Sequence, residues 1–410
     1  MSSIKKGSRS TQIVIMAAGE GSRMRPLTET RPKVMLPVVG KPMLEHLVEG
    51  CREAGYSDLI IITGYYGEKV REYFGDGGAL GVRIRYVSQR RAQGTADALK
   101  QAVPLLDGPF MLLNGDIMLR AGDISLLGAS QATTLSLTQP ASVEGMGVVE
   151  LEGERVVRLH EKSANPPTCL ANAGAYYFTT DIFAALERTT RSPRGEFEIT
   201  DTIQLLIDGG VPVLHRFLTS WRDIGYPWEL LAANEELSAK TTSQIDGVVE
   251  PGVVIKGAIA IGEGSTVRSG SYITGPAVIG KHCDIGPNCY IRPFTSIGDH
   301  CHIGAGVEIK NSIIMAGTKV PHLSYVGDSV IGENCNLGAG TQVANLRFDR
   351  RNVQILGRDS GRHKLGVIMG DGVSTGVNAC INPGTVIGSY ALIGPGAVVS
   401  GRVAAGARVF

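Results

Sequence analysis

The sequence predicts two domains of different fold class: an α/β domain followed by a parallel β-helix built from hexapeptide repeats. Three observations carry this expectation. The chain has 410 residues, more than one hydrophobic core usually supports. Up to Leu231 it alternates short apolar runs with amphipathic stretches, and from Ile255 aliphatic residues recur at every sixth position.

In the first half, Ile13-Val14-Ile15-Met16, Leu59-Ile60-Ile61-Ile62 and Phe110-Met111-Leu112-Leu113 are continuous apolar runs, as in buried strands of a mostly parallel sheet covered by helices. One such helix is expected over residues 43–54, where Leu44, Leu47, Val48 and Cys51 recur at helical spacing and Gly55 stops it.

In the second half, Ile255, Ile261, Val267, Ile273, Ile279, Ile285, Ile291, Ile297, Ile303 and Ile309 keep a six-residue period. That period fits neither helix nor hairpin. It fits a β-helix in which each hexapeptide forms one flat face and the aliphatic residue points inward. The rhythm slips after Ile309, resumes through Ile314, Val320, Val326, Ile331, Leu337 and Val343, and returns later with Val367, Val373, Ile381, Ile387, Ile393 and Val399. Between these, the charged stretch 345–364 reads as a protruding loop, and such insertions often serve binding. Cys283, Cys289, Cys301 and Cys335 each follow an inward aliphatic residue by four positions, so they read as small residues packed in the coil. Their spacing matches no zinc pattern. His300 and His302 flank Cys301 and are expected at the surface.

Forty basic residues against 39 acidic ones leave no charge excess to attract nucleic acid or an anionic membrane. The apolar stretch 13–18 is too short to cross a bilayer and lacks a signal peptide's cleavage signature. Seven cysteines without a secretory signal suit reduced thiols, so a cytoplasmic protein is expected.

Directly after the first buried run comes Ala17-Ala18-Gly19-Glu20-Gly21-Ser22-Arg23-Met24-Arg25-Pro26-Leu27, and further on Arg31-Pro32-Lys33-Val34-Met35-Leu36-Pro37. Glycines let backbone N–H groups approach a polyphosphate, and Arg23 and Arg25 would neutralise it. No Gly-Lys-Ser/Thr closes a Walker loop, and Met24 stands where a dinucleotide fingerprint needs its third glycine. Taken alone, the Gly-x-Gly equally suits a plain strand-to-loop turn. With Arg-Pro-Lys added, the stretch resembles the signature of the sugar nucleotidyltransferases, which join an NTP to a sugar 1-phosphate and release pyrophosphate.

The resemblance implies a Rossmann-like nucleotidyltransferase domain followed by a left-handed β-helix. It implies that Arg23 and Lys33 hold the triphosphate catalytically, beside a nucleotide-binding set of Ala17, Ala18, Gly19, Gly21, Gln89, Gly94 and Thr95. Gln89, with its Gly94-Thr95 partner, matches a base-reading glutamine and favours UTP or dTTP over a purine nucleotide. Gly147, Glu161 and Asn172 match residues that contact the sugar, and Lys162 matches a lysine on the sugar phosphate. The reaction is an in-line displacement at the α-phosphorus, so positioning and charge neutralisation carry it. A Mg²⁺ ion needs carboxylates. Asp116 in Asn114-Gly115-Asp116 and Asp223 in Trp221-Arg222-Asp223 lie at the ends of predicted strands, where open α/β sheets place ligands. They match the family's two metal positions.

For the β-helix two readings stand. In ADP-glucose and GDP-mannose pyrophosphorylases a shorter β-helix serves assembly and regulation, whereas in the bifunctional UDP-N-acetylglucosamine pyrophosphorylase family it transfers acetyl from acetyl-CoA to an amino-sugar 1-phosphate. Gly317-Thr318-Lys319-Val320-Pro321-His322-Leu323-Ser324-Tyr325-Val326-Gly327-Asp328 resembles the acetyltransferase's catalytic stretch. His322 would be the base, a task that suits histidine. Arg292 and Lys310 match the phosphate-binding pair, and Tyr325, Asn336 and Asn345 match the sugar contacts. After Asn345 the bacterial Tyr-Asp-Gly is replaced by Leu346-Arg347-Phe348-Asp349, and a serine associated with acetyl-CoA is replaced near Val377. The variant looks more like the archaeal relatives. It leaves open whether glucosamine 1-phosphate, galactosamine 1-phosphate or both accept the acetyl group.

The expected boundaries are 1–231 for the nucleotidyltransferase domain, 232–244 for a connecting helix and linker within a helical stretch at 226–240, and 245–410 for the β-helix. Small-molecule substrates are the expected partners, and flat β-helix faces with sites shared between subunits in the resembling family suggest a homotrimer.

Overall fold

The computed structural model describes residues 11–410, so the first ten residues of the expected 1–231 domain lie outside the described residues. The chain divides into two compact units. One comprises the chain up to Glu20 and Met43–Asp223, and the other comprises Gly21–Pro42 and Ile224–Phe410.

The first unit is α/β. Its strands are β1 (Gln12–Ala17), β2 (Asp58–Thr63), β3 (Arg83–Ser88), β4 (Phe110–Asn114), β5 (Ile117–Leu119), β6 (Thr134–Thr138), β7 (Val148–Glu152), β8 (Arg155–His160), β9 (Ala171–Phe178), β10 (Leu214–Phe217) and β11 (Trp221–Asp223). Nine of them form one sheet in the order β3-β2-β1-β4-β9-β6-β10-β8-β7. The first four in that order are parallel, and three of them, β1, β2 and β4, are the continuous apolar runs read from the sequence. β9 then runs antiparallel to both β4 and β6, so the sheet is mixed rather than mostly parallel. Helix α1 (Met43–Glu53) forms where the sequence predicts it, with Leu44, Leu47, Val48 and Cys51 fully buried. Helices α2 (Thr95–Ala102) and α3 (Ile199–Asp208) bury Leu99 and Ile203 in the cluster that covers Val14, Ile60 and Leu112.

In the second unit the hexapeptide rhythm becomes three parallel sheets of nine, nine and eight strands, the three faces of a left-handed β-helix. Ile255, Ile273, Ile291 and Ile309 stack in register on one face, Ile261, Ile279 and Ile297 on the next. The slip after Ile309 is a coil shortened by one residue, since Ile309 pairs with Val326 and Ile297 with Ile314. These columns form a single apolar core that also takes in Cys283, Cys289, Cys301 and Cys335, each at most 2% exposed. All seven cysteines are free thiols. Near the surface, His300 is exposed, whereas His302 is half-buried beside Asp284.

The division differs from the boundaries read off the sequence. Within 226–240 only α4 (Glu229–Ser238) is helical. Its buried Asn234 accepts a hydrogen bond from the Val39 N–H at 2.9 Å and donates to the Phe294 carbonyl at 2.8 Å. One side chain thereby joins α4, the turn at Val39 and a coil corner at Phe294, all within the unit that holds Gly21–Pro42 and the β-helix. The stretch 345–364 does interrupt the coils, between strand Gln342–Val343 and strand Ile368–Met369. It carries a small ribbon of Gln354–Ile355 and Arg358–Asp359 and the fully exposed Phe348.

Candidate functional site

In the α/β unit, β1 ends at Ala17 with Ala18 and Gly19 following. The Ala18 carbonyl accepts from the Tyr65 N–H at 3.2 Å. A Cβ on Gly64 would lie 2.6 Å from that carbonyl, so glycine there lets the two chain segments approach.

Gln89 is buried just past β3, and its side-chain N–H₂ donates to the Gly94 carbonyl at 3.0 Å and to the Asp97 carboxylate at 2.8 Å. Both partners only accept, which fixes the amide's orientation. Gly94 holds φ +114, and a Cβ on it would lie 2.2 Å from the Phe197 carbonyl. Thr95 opens α2, and its hydroxyl accepts from the Ile199 N–H at 2.9 Å at the start of α3. Thr95 thus clamps the loop.

The short strands β5 and β11 form an antiparallel ribbon in which Asp223 lies opposite Ile117. Asp116, the residue before β5, is therefore brought to the same end of the ribbon as Asp223, and both are half-buried. Among the described residues no group of three or more His, Cys, Asp or Glu side chains gathers to hold a metal. Two carboxylates suit Mg²⁺, which keeps several waters and takes other ligands from substrate phosphates.

The residues expected around the sugar also converge. The Asn172 N–H donates to the Gly147 carbonyl at 2.9 Å, and the Lys162 N–H to the Met146 carbonyl at 3.2 Å. A Cβ on Gly147 would lie 2.9 Å from a Glu161 carboxylate oxygen. The Asn172 side chain donates to the Tyr176 hydroxyl at 2.8 Å. Burial, with Glu198 nearby, raises the Glu161 carboxyl above its ordinary value, and Lys162 and Arg194 offset part of that.

In the second unit the signature loop is wound around its own cation. Gly21 sits at φ +67, and a Cβ on it would lie 2.7 Å from the Lys33 Cβ. Lys33 is 7% exposed. The Thr28 hydroxyl donates to the Gly21 carbonyl at 2.9 Å and closes the loop. The Arg23 guanidinium lies over the Tyr226 ring, 5.2 Å from its centroid. Ser22, Arg23, Arg25 and Glu29 share a cavity of 230 Å³ with Arg402 and Val403.

The β-helix brings four of the five expected substrate contacts of the acetyl site onto one face. Lys310 pairs with Asp328 at 2.8 Å and Arg292 with Glu308 at 2.8 Å. The Asn345 amide donates to the Tyr325 hydroxyl at 3.1 Å and to Asp328 at 2.6 Å. Burial, then Asp328, raises the Tyr325 phenol. His322 ends the strand on the adjoining face, and Tyr325 begins the strand on this one. The two meet across the corner residue Leu323, which holds φ +49 and is 69% exposed. Asn336 lies on His322's face, where it pairs with Lys319, and no hydrogen bond joins it to the others. Asp328 closes the stretch quoted from the sequence, but no role is read for it there. It is 2% exposed and accepts from Lys310, Asn311 and Asn345, each one coil away at a separation of 17 or 18 residues.

Known proteins match this chain in both halves. The family description "Nucleotidyl transferase" fits residues 12–240, more than half of the chain, and "GMPPB C-terminal domain" fits residues 273–376. The "Bifunctional protein GlmU" of Methanocaldococcus jannaschii is 40% identical over 380 residues, 92% of this chain and 91% of that protein. The "Bifunctional sugar-1-phosphate nucleotidylyltransferase/acetyltransferase" of Sulfurisphaera tokodaii is 39% identical over 405 residues, 96% and 98% of the two chains. A UDP-glucose pyrophosphorylase solved with UDP-glucose superposes with a TM-score of 0.51 at 25% identity, over 56% of this chain and 99% of that one. No helix among the described residues is long and apolar enough to cross a membrane. With two kinds of fold in one chain, and relatives matched across nearly the whole length, the chain belongs to the family of bifunctional sugar-1-phosphate nucleotidylyltransferases/acetyltransferases.

Proposed function

We propose that the chain N-acetylates glucosamine 1-phosphate, with galactosamine 1-phosphate as a second acceptor, and then joins the product to a uridylyl or thymidylyl group. What carries this reading is the separation of the expected side chains into two clusters, each on its own fold: Gly147, Glu161, Lys162 and Asn172 in the α/β unit, and Arg292, Lys310, Tyr325 and Asn345 beside His322 on the β-helix.

In the β-helix, Arg292 and Lys310 would bind the phosphate while Tyr325, Asn336 and Asn345 orient the sugar. The amine attacks the thioester carbonyl of acetyl-CoA, His322 takes the amine's proton, and as the carbon–sulfur bond breaks that proton passes to the departing sulfur, releasing CoA thiol. In nucleotidyl transfer the sugar-phosphate oxygen attacks the α-phosphorus and pyrophosphate leaves. Arg23 and Lys33 would neutralise the triphosphate, and Ala17, Ala18, Gly19 and Gly21 would serve as nucleotide-binding residues through their backbone. The oriented Gln89 oxygen accepts the N3–H of a pyrimidine base, and Gly94 and Thr95 keep that loop in place. Asp116 and Asp223 would hold Mg²⁺, which supplies charge neutralisation for the phosphates. Functionally, residues 1–231 would serve the first chemistry and 245–410 the second, in a cytoplasmic homotrimer.

A coupled assay tests this: thiol release from acetyl-CoA with either amino-sugar 1-phosphate, and pyrophosphate release over four NTPs. The fit of "GMPPB C-terminal domain" to residues 273–376 favours a second reading, a monofunctional glucose- or mannose-1-phosphate nucleotidyltransferase whose β-helix assembles or regulates. Thiol release no greater than that of His322→Ala would select it. Absence of pyrophosphate release with every NTP would sink the nucleotidyl assignment.

A further inference from the structure

The signature stretch contains a cation that neither proposed reaction uses. Arg31 is only 4% exposed, and its guanidinium pairs with two carboxylates on the β-helix, Glu333 and Asp371. Its neighbours dock on the same coil corners. The Thr30 hydroxyl donates to Asp371, and the Glu29 carboxylate accepts from the Ser389 N–H at 2.9 Å. A Cβ on Gly370 would lie 3.1 Å from Pro26. Glu333 and Asp371 are themselves held together, for the Glu333 N–H donates to Asp371 at 2.8 Å. Asp371 is 7% exposed, so the charge on Arg31 is neutralised away from water.

We infer that Arg31, Glu333 and Asp371 are positioning residues for nucleotidyl transfer: the β-helix holds Lys33 in place through this ion-pair lock. The mechanical link is short. Pro32 follows Arg31 with its φ fixed by the ring, and the N–H groups of Met35 and Leu36 bond back to the Pro32 and Lys33 carbonyls at 3.0 Å each. A segment so constrained transmits the position of Arg31 to Lys33. A buried Arg between two carboxylates contributes geometry more than net stability, whereas removing one partner leaves a buried charge uncompensated. The inference rests on the proposed role of Lys33 in triphosphate binding.

The test uses the full chain carrying Asp371→Asn or Glu333→Gln, with Arg31→Lys and Arg31→Met as a conservative and a disruptive pair. In Asp371→Asn, kcat/KM for pyrophosphate release should fall about 10–100-fold, with KM for UTP raised. KM for the sugar phosphate and thiol release from acetyl-CoA should stay within twofold. Amide hydrogen exchange over 26–36 should quicken. Half-exposed Glu333 should give a smaller loss, and Arg31→Lys should retain more activity than Arg31→Met. Unchanged exchange and UTP KM in Asp371→Asn would overturn the lock. So would parallel loss of both activities with a general fall in Tm, since that marks a fold defect. If the unaltered chain releases no pyrophosphate with any NTP, the proposed function fails, and the exchange measurement still decides whether the lock orders the loop.

Discussion

The two clusters proposed to hold a sugar phosphate fix their cations by opposite means. In the α/β unit Lys162 is set by backbone geometry, at φ +48 with its N–H on the Met146 carbonyl. In the β-helix the coil already dictates the backbone, so side chains orient side chains: Arg292 leans on Glu308 and Lys310 on Asp328, each acid one coil further along. A loop site is shaped by torsions and glycines, and a solenoid site by neighbours in register. Damage should therefore spread differently in the two.

The sharpest way to break the comparison is to disable each chemistry alone. Asp116→Ala should lower pyrophosphate release by roughly 10²–10³-fold and leave thiol release unchanged, while His322→Ala should lower thiol release by about 10²–10⁴-fold and spare pyrophosphate release. Both rates are measured on the same preparations. Loss of both activities in either variant would mean the sites are not independent.

Next in size is the solenoid's dependence on neighbours. Asp328→Ala leaves Lys310, Asn311 and Asn345 without their shared acceptor and should cost about 3–5 kcal/mol, read as a drop in denaturation midpoint together with lost thiol release. Gly21→Ala is the loop counterpart. It places a methyl 2.7 Å from the Lys33 Cβ at φ +67 and should cost about 1–3 kcal/mol, with pyrophosphate release falling and thiol release retained. Equal spread of damage in both variants would erase the contrast.

That contrast also explains what was legible in the sequence. The inward columns could be read directly because each hexapeptide contributes one aliphatic residue to the core, and Ile255 to Ile309 stack as the period requires. The buried cysteines followed from the same register. The antiparallel β9 in the middle of the first sheet could not be read, because Ala171–Phe178 is buried almost throughout, like the parallel strands β1 and β2, and direction leaves no mark in composition. Nor could the docking of Arg31 on Glu333 and Asp371, since a salt bridge spanning some 300 residues has no local signal. Gln89 could be matched to a motif. Its orientation depended on Asp97, in the first turn of the next helix, and needed coordinates.

The smallest expected effect concerns the loop-built site and is read through pH. Burial beside Glu198 raises the Glu161 carboxyl above its unfolded value, so the folded chain binds that proton more tightly than the unfolded chain does. Stability from this group is therefore largest below the unfolded value, declines as pH rises through the folded one, and is a penalty at neutrality. Glu161→Gln removes the charge and hence the penalty. Its Tm should exceed that of the unaltered chain at pH 7, and the two should converge below pH about 4, where both states of the unaltered chain are protonated. The same variant should raise KM for the sugar phosphate if the carboxylate serves the sugar, because a group kept at a cost in stability is expected to serve the ligand. A Tm gain at pH 7 without a change in that KM would make the buried charge a structural accident and remove Glu161 from the site.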